Sequence, residues 1–220
     1  MTTDSPASLT HVLTAVEAAA TIAFALSGLL EAAHKRLDAV GVCMVAGLAA
    51  FGGGTLRDVL LDRRPFFWVA HAGWLWVLLA LCVLAMLFMQ ARHFAPTARA
   101  MQWPDALGLG LFTASGTQVA LHSGVPAIVA VLMGVVTAVF GGVLRDIVCN
   151  QIPSAFSDHR PYALCAFVGA WVLVAAQALG IADWQGLVCA ASVTAVLRAV
   201  ALLTGYTLPR WSPGGVKPPS

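Results

Sequence analysis

Residues 51–58 read FGGGTLRD, and residues 140–146 read FGGVLRD. Each sets neighbouring glycines and then an arginine and an aspartate inside a long apolar run. Adjacent glycines cost a helix roughly 1 kcal/mol each relative to alanine, so their repetition calls for a reason: a kink, or the close approach of another backbone or an ion. A charge left facing lipid costs roughly 3 kcal/mol or more. Both Arg-Asp pairs must therefore face protein or water. We read the motifs as marking a path through a membrane, framed by the rest of the chain.

Composition agrees. Of 220 residues, 60% are hydrophobic and 10% charged, and the mean hydropathy is +0.85. That predicts an all-α integral membrane protein with membrane lipid as its surroundings. The net charge of +2 is dispersed, with no basic run interleaved with aromatics, so no nucleic acid partner is expected. The first ten residues lack the basic flank of a signal peptide, and the first apolar segment is expected to be retained. Cys43, Cys82, Cys149, Cys165 and Cys189 stand singly without a CxxC pair, and the histidines form no HxxxH pair. No tightly bound metal and no cofactor is expected, and the cysteines read as small buried hydrophobes. No P-loop, GxSxG or HExxH occurs, so an enzyme is not expected.

Seven apolar stretches are long enough to cross about 30 Å of hydrocarbon: Val12 to Ala33, Ala39 to Leu61, Phe67 to Met89, Ala106 to Leu121, Pro126 to Val148, Tyr162 to Leu179 and Trp184 to Thr204. The fourth is short and rich in glycine, which predicts packing between neighbours. If the helices alternate, Lys35, Arg36, Arg92, Arg99, Arg160, Arg210 and Lys217 share one side and only Arg63 and Arg64 the other. The positive-inside rule then puts the N-terminus outside and the C-terminus in the cytoplasm. Trp68, Trp74, Trp103, Trp184 and Trp211 fall near predicted helix ends, as interfacial anchors do.

A shift of 88 positions carries Arg57 and Asp58 onto Arg145 and Asp146. Without a gap it also carries Phe24, Ser27, Gly28, His34, Gly53, Gly54 and Pro65 onto Phe112, Ser115, Gly116, His122, Gly141, Gly142 and Pro153. Glu17 falls on Asp105, a carboxylate on a carboxylate. The expected organisation is an N-terminal tail (1–10), a first three-helix repeat (11–95), a second (96–182), a seventh helix (183–206) serving as a brace or oligomer contact, and a disordered Pro/Gly-rich tail (207–220). Three helices per repeat is an odd number, so the second copy must lie inverted relative to the first, as in many transporters and some channels.

At a glycine kink the freed carbonyls take neighbours, water or a passing cation. Those of Phe51, Gly52 and Gly53, and of Phe140, Gly141 and Gly142, are the candidate ligands for a hard cation such as K⁺. Close helix packing is the competing reading of the same glycines, Gly54 included. Successive helical residues point about 100° apart, which predicts that Arg57 and Asp58 each find a partner on another helix instead of each other. The charges either staple helices together or also line or gate the path. Ser27, Thr55, Ser115 and Gln118 are candidate pore-lining groups, with bonding to the preceding helical turn as the alternative. Glu17 and Asp105 are further candidates, or else carboxylates complementing the dipoles of nearby helix starts.

The two glycine-rich segments, each followed by Arg-Asp, in two three-helix repeats with a seventh helix, resemble the trimeric intracellular cation (TRIC) channel family in its bacterial form. The resemblance spans Ala15 to Thr204. It implies a homotrimer in the bacterial inner membrane with a pore in each protomer, lined by the first, second, fourth and fifth long helices. K⁺ is the implied permeating ion, preferred over Na⁺. It carries the kinks onto Gly52 to Gly54 and Gly141 with Gly142, and the charged positions onto Arg57, Asp58, Arg145 and Asp146. Phe140 departs from the pattern, standing where Gly52 calls for a third glycine. The doubled motif is also similar to that of bacterial glycine-transporter-like membrane proteins, so uptake of a small zwitterion stands as the alternative activity.

Overall fold

The computed structural model describes residues 6–92, 97, 99–157 and 160–209. Most of the expected C-terminal tail, with Arg210, Trp211 and Lys217, lies outside them. Among the described residues the chain is all helical: α1 (Pro6–His34), α2 (Ala39–Leu60), α3 (Phe67–Ala70), α4 (Gly73–Arg92), α5 (Gln102–His122), α6 (Ala127–Val148), α7 (Ser154–Ser157), α8 (Ala163–Ala178) and α9 (Asp183–Thr204). Local chemistry sets several of these ends. The Asp38 carboxylate caps α2 by accepting the Gly41 N–H at 2.7 Å. α9 stops at Gly205, whose φ of 67° suits a residue without a side chain.

Three expectations change. The third apolar stretch is two helices, because the chain turns at His71, where φ is −125° and ψ 61°. α5 has 21 residues and is not short; polar side chains within it lower its hydropathy without ending the helix. α1 begins at Pro6, so Glu17 sits three turns inside it and complements no helix start. By length and hydropathy α1, α2, α6 and α9 qualify as membrane spans, while Gly73–Met89 and Ala163–Ala178 are shorter apolar helices.

α5 is the central element. Fourteen of its residues are buried, under α1, α6, α8 and α9. α9 braces the second half by packing on α5 and α8, whereas α4 rests on α1 and α2 with much of its surface exposed.

The two halves meet along a seam of glycines. A β-carbon at Gly53 would collide with the Thr137 carbonyl oxygen, and one at Gly141 with the Ala49 carbonyl oxygen. The same 88-residue shift relates Ala49 to Thr137 and Gly53 to Gly141. The contact is therefore reciprocal, as across a two-fold axis. Since 53 meets 137 and 49 meets 141, α2 and α6 cross antiparallel. Phe24 and Phe112, also equivalent under the shift, stack on each other with centroids 5.5 Å apart.

Candidate functional site

α2 stays helical from Ala39 to Leu60 and α6 from Ala127 to Val148. The glycines at Phe51 to Gly54 and at Phe140 to Gly142 lie within these helices, and Gly53 and Gly141 serve close backbone approach. Helix-to-helix contact through bare backbone offsets their low helix propensity. Phe51, Gly52, Thr55 and Phe140 come together around an apolar groove of about 470 Å³.

Just beyond the seam each helix delivers its charges. The Arg57 Nε and NH2 donate to Asp58 Oδ1 at 2.9 and 2.8 Å, and NH1 donates to Glu17 Oε1 on α1. Arg145 repeats the arrangement. Its Nε donates to Asp146 Oδ1 at 2.8 Å and its NH1 to Asp105 Oδ1 on α5 at 2.6 Å. NH1 also donates to the Ser27 hydroxyl of α1. Adjacent Arg and Asp thus do pair with each other, against expectation. The long arginine stem lets the guanidinium fold back over its neighbour while its far side reaches another helix, a freedom that the directions of the β-carbons do not capture.

The second oxygen of each aspartate anchors a short helix. Asp58 Oδ2 accepts the Phe67 N–H at 2.9 Å at the start of α3, and Asp146 Oδ2 accepts the Ser154 N–H at 2.8 Å at the start of α7. The turns between match as well. Asp62 and Asn150, equivalent under the shift, adopt φ of 49° and 55°, a region these residue types tolerate. The sequence reading missed both short helices, although the Pro65–Pro153 match lies just before them.

Arg57, Asp58, Arg145 and Asp146 are at most 2% exposed and Asp105 is 4% exposed; the Glu17 side chain, at 17%, is the most open member. Each guanidinium faces two carboxylates, so each cluster carries a formal charge of −1. Arg63, half-exposed and 3.4 Å from Asp58, offsets the first only at its rim. The antiparallel crossing puts Arg145 level with Val45, so the clusters stand about 18 Å apart along α2.

The remaining candidates separate. Thr55 donates to the Phe51 carbonyl at 2.7 Å and accepts from Trp68 Nε1 at 2.9 Å. Ser115 is buried, and its hydroxyl makes no hydrogen bond among the described residues. Gln118 accepts from Gln177 Nε2 at 2.9 Å, beside a polar pocket of about 290 Å³ lined by His122, Gln177 and Asp183. Buried Glu31, Tyr162 and Arg198 escaped the sequence reading, since none belongs to a motif or matches a polar residue under the shift.

A family model described as "Glycine transporter" matches the chain twice, at residues 14–90 and 102–178. A UPF0126 membrane protein of Vibrio cholerae is 32% identical over 207 residues, covering 92% of this chain and 84% of that protein. The UPF0126 inner membrane protein YadS of Escherichia coli is 32% identical over 201 residues, covering 87% and 92%. Among solved structures, the TRIC trimeric intracellular cation channel orthologue from Rhodobacter sphaeroides superposes with a TM-score of 0.82 at 31% identity, over 89% of this chain and 99% of that one. With both motif-bearing halves matched, with relatives that span nearly all of it and with the fold of a TRIC channel, the chain is an integral membrane protein that belongs to the glycine transporter family.

Proposed function

We propose that this protein is a passive channel for monovalent cations, K⁺ above Na⁺, with a path inside each protomer among α1, α2, α5 and α6. The observation that carries the reading is the charge count of the two clusters. One guanidinium against two carboxylates leaves a negative excess at each end of the path, which draws cations and repels anions. The likeness to a trimeric cation channel supports the same activity and a homotrimer. We read the halves as an inverted repeat, a reading that the reciprocal seam between antiparallel α2 and α6 supports. The seven long helices then serve as spans, with α5 sheltered by its neighbours, the N-terminus outside and the C-terminus in the cytoplasm.

Uptake of glycine or a similar zwitterion is the second reading, favoured by the description of the family model. It needs a guanidinium available to the substrate carboxylate, whereas Arg57 and Arg145 are both engaged by aspartate and a second carboxylate. Flux from K⁺-loaded proteoliposomes, with and without external glycine, tests the choice. Potential-driven K⁺ movement without glycine, absent from protein-free liposomes, supports the channel. Saturable glycine uptake without K⁺ current overturns it.

A further inference from the structure

The polar pocket of about 290 Å³ lies where α5 and α8 end and α9 begins, with Leu121 and Ile181 as its apolar walls and His122, Gln177 and Asp183 as its polar ones. The polar side chains are held from behind. His122 Nδ1 lies 2.9 Å from the Gln118 carbonyl oxygen. A carbonyl only accepts, so Nδ1 carries the proton and Nε2 keeps its lone pair. Nε2 makes no hydrogen bond among the described residues. Gln177 Nε2 donates to Asp183 Oδ1 at 3.3 Å and, at 2.9 Å, to Oε1 of Gln118, which is 0% exposed. Both amide hydrogens are thereby spent, and Gln177 Oε1 and Asp183 Oδ2 remain as acceptors. Asp183 makes no ion pair among the described residues. The pocket therefore presents an imidazole nitrogen, a carboxylate oxygen and an amide oxygen, which is the donor set of a cation site. The C-terminal ends of α5 and α8 add the negative poles of two helix dipoles.

We propose that this pocket is an exchangeable site for a divalent transition-metal ion of the Zn²⁺ class, with His122 Nε2 and the Asp183 carboxylate as its protein ligands and Gln177 Oε1 beside them. Imidazole with carboxylate suits Zn²⁺ and its neighbours, whereas Mg²⁺ and Ca²⁺ prefer oxygen alone. A ligating histidine whose other N–H is held by a backbone carbonyl, with a hydrogen-bonded carboxylate opposite, is the support such ions require. No third histidine, cysteine or carboxylate joins the pair among the described residues, so water completes the coordination and the ion exchanges. His122 is exposed, which gives the ion a way in from solvent. Gln118 is a positioning residue that holds His122 through its backbone and Asp183 through Gln177. The 88-residue shift pairs His122 with His34, but Gln118 with Leu30 and Gln177 with Met89, so the first half lacks the supports. A bound ion ties the end of α5 to the start of α9. The site is independent of which solute the protein carries.

The test is titration of the purified, tag-free full chain with Zn²⁺, and with Mg²⁺ as the control ion. At a Zn²⁺ concentration about ten times the dissociation constant, Tm is expected to rise by about 4 °C, and Mg²⁺ is expected to leave it level. The rise is expected to vanish in His122→Ala and in Asp183→Asn, two positions open enough to solvent for the variants to fold. Gln118→Leu, which copies the first half, is expected to weaken Zn²⁺ binding about ten-fold or more in calorimetric titration. With Cu²⁺ in place of Zn²⁺, the electron paramagnetic resonance spectrum is expected to show coupling to one imidazole nitrogen, absent in His122→Ala. A Zn²⁺ response that survives both His122→Ala and Asp183→Asn, or a parent protein that shows none, would overturn the proposal.

Discussion

Gly53 lies against the carbonyl oxygen of Thr137 with no room for a side chain between α2 and α6. Gly141 stands in the same relation to Ala49, so the seam is built twice from backbone alone.

Substituting alanine at either glycine forces the helices apart. Gly53→Ala and Gly141→Ala are each expected to cost about 1 to 3 kcal/mol, read as a fall in Tm of the detergent-solubilised protein. Gly47→Ala serves as the control. Its β-carbon would meet only Leu78, at an ordinary 3.5 Å, and the better helix propensity is expected to leave stability level or slightly raised.

Removing a guanidinium strands two buried carboxylates. Arg145→Gln is expected to destabilise by about 3 to 5 kcal/mol. Arg145→Lys recovers part of this, because a lysine cannot reproduce the forked contact to Asp146 and Asp105. Glu17→Gln is expected to cost less than Asp105→Asn, since the Glu17 side chain is 17% exposed and that of Asp105 5%. Unfolding midpoints of the four variants check the order.

The charge count makes a statement about selectivity. Neutralising one carboxylate in each cluster, Glu17→Gln with Asp105→Asn, leaves each guanidinium balanced one to one. The cation-over-anion preference is expected to fall several-fold, seen as a shift of the reversal potential toward that of Cl⁻ in a KCl gradient. An unchanged reversal potential with preserved flux removes the clusters from the path.

Phe24 and Phe112 fill the space between the halves at 0% and 1% exposure, stacked on each other. On the proposed path they are its plug. Phe112→Ala is expected to raise K⁺ flux several-fold while lowering stability by about 3 to 5 kcal/mol. Flux that stays flat or falls in the folded variant places the path elsewhere.

The 88-residue shift made much of this legible in advance. It paired Glu17 with Asp105 and Phe24 with Phe112, and the structure puts each pair in equivalent or mutual contact. It paired Gly53 with Gly141 as well, but glycine adjacency alone does not distinguish a kink from a backbone contact; only the partner helix decides. The Arg57–Asp58 bond was hidden because side-chain direction at the β-carbon says little about where a six-bond arginine ends. Arg198 and Glu31 were hidden because each is a single polar residue in an apolar stretch, and the shift pairs them with Gly110 and Val119; Tyr162, paired with Trp74, was hidden because it stands at a helix start outside any motif.

The membership of the two ion clusters bears on synthesis. Glu17, Arg57 and Asp58 all precede residue 60, and Asp105, Arg145 and Asp146 all follow residue 100. The first half can therefore neutralise its own arginine before the second half exists, and the second can do so without borrowing a carboxylate from the first. The Ser27 hydroxyl crosses between the halves to the Arg145 guanidinium. The glycine seam, by contrast, has no partner until α6 is made. Insertion into lipid and closure of the bundle are thus separable events, the first governed by charge within each half and the second by backbone contact between them.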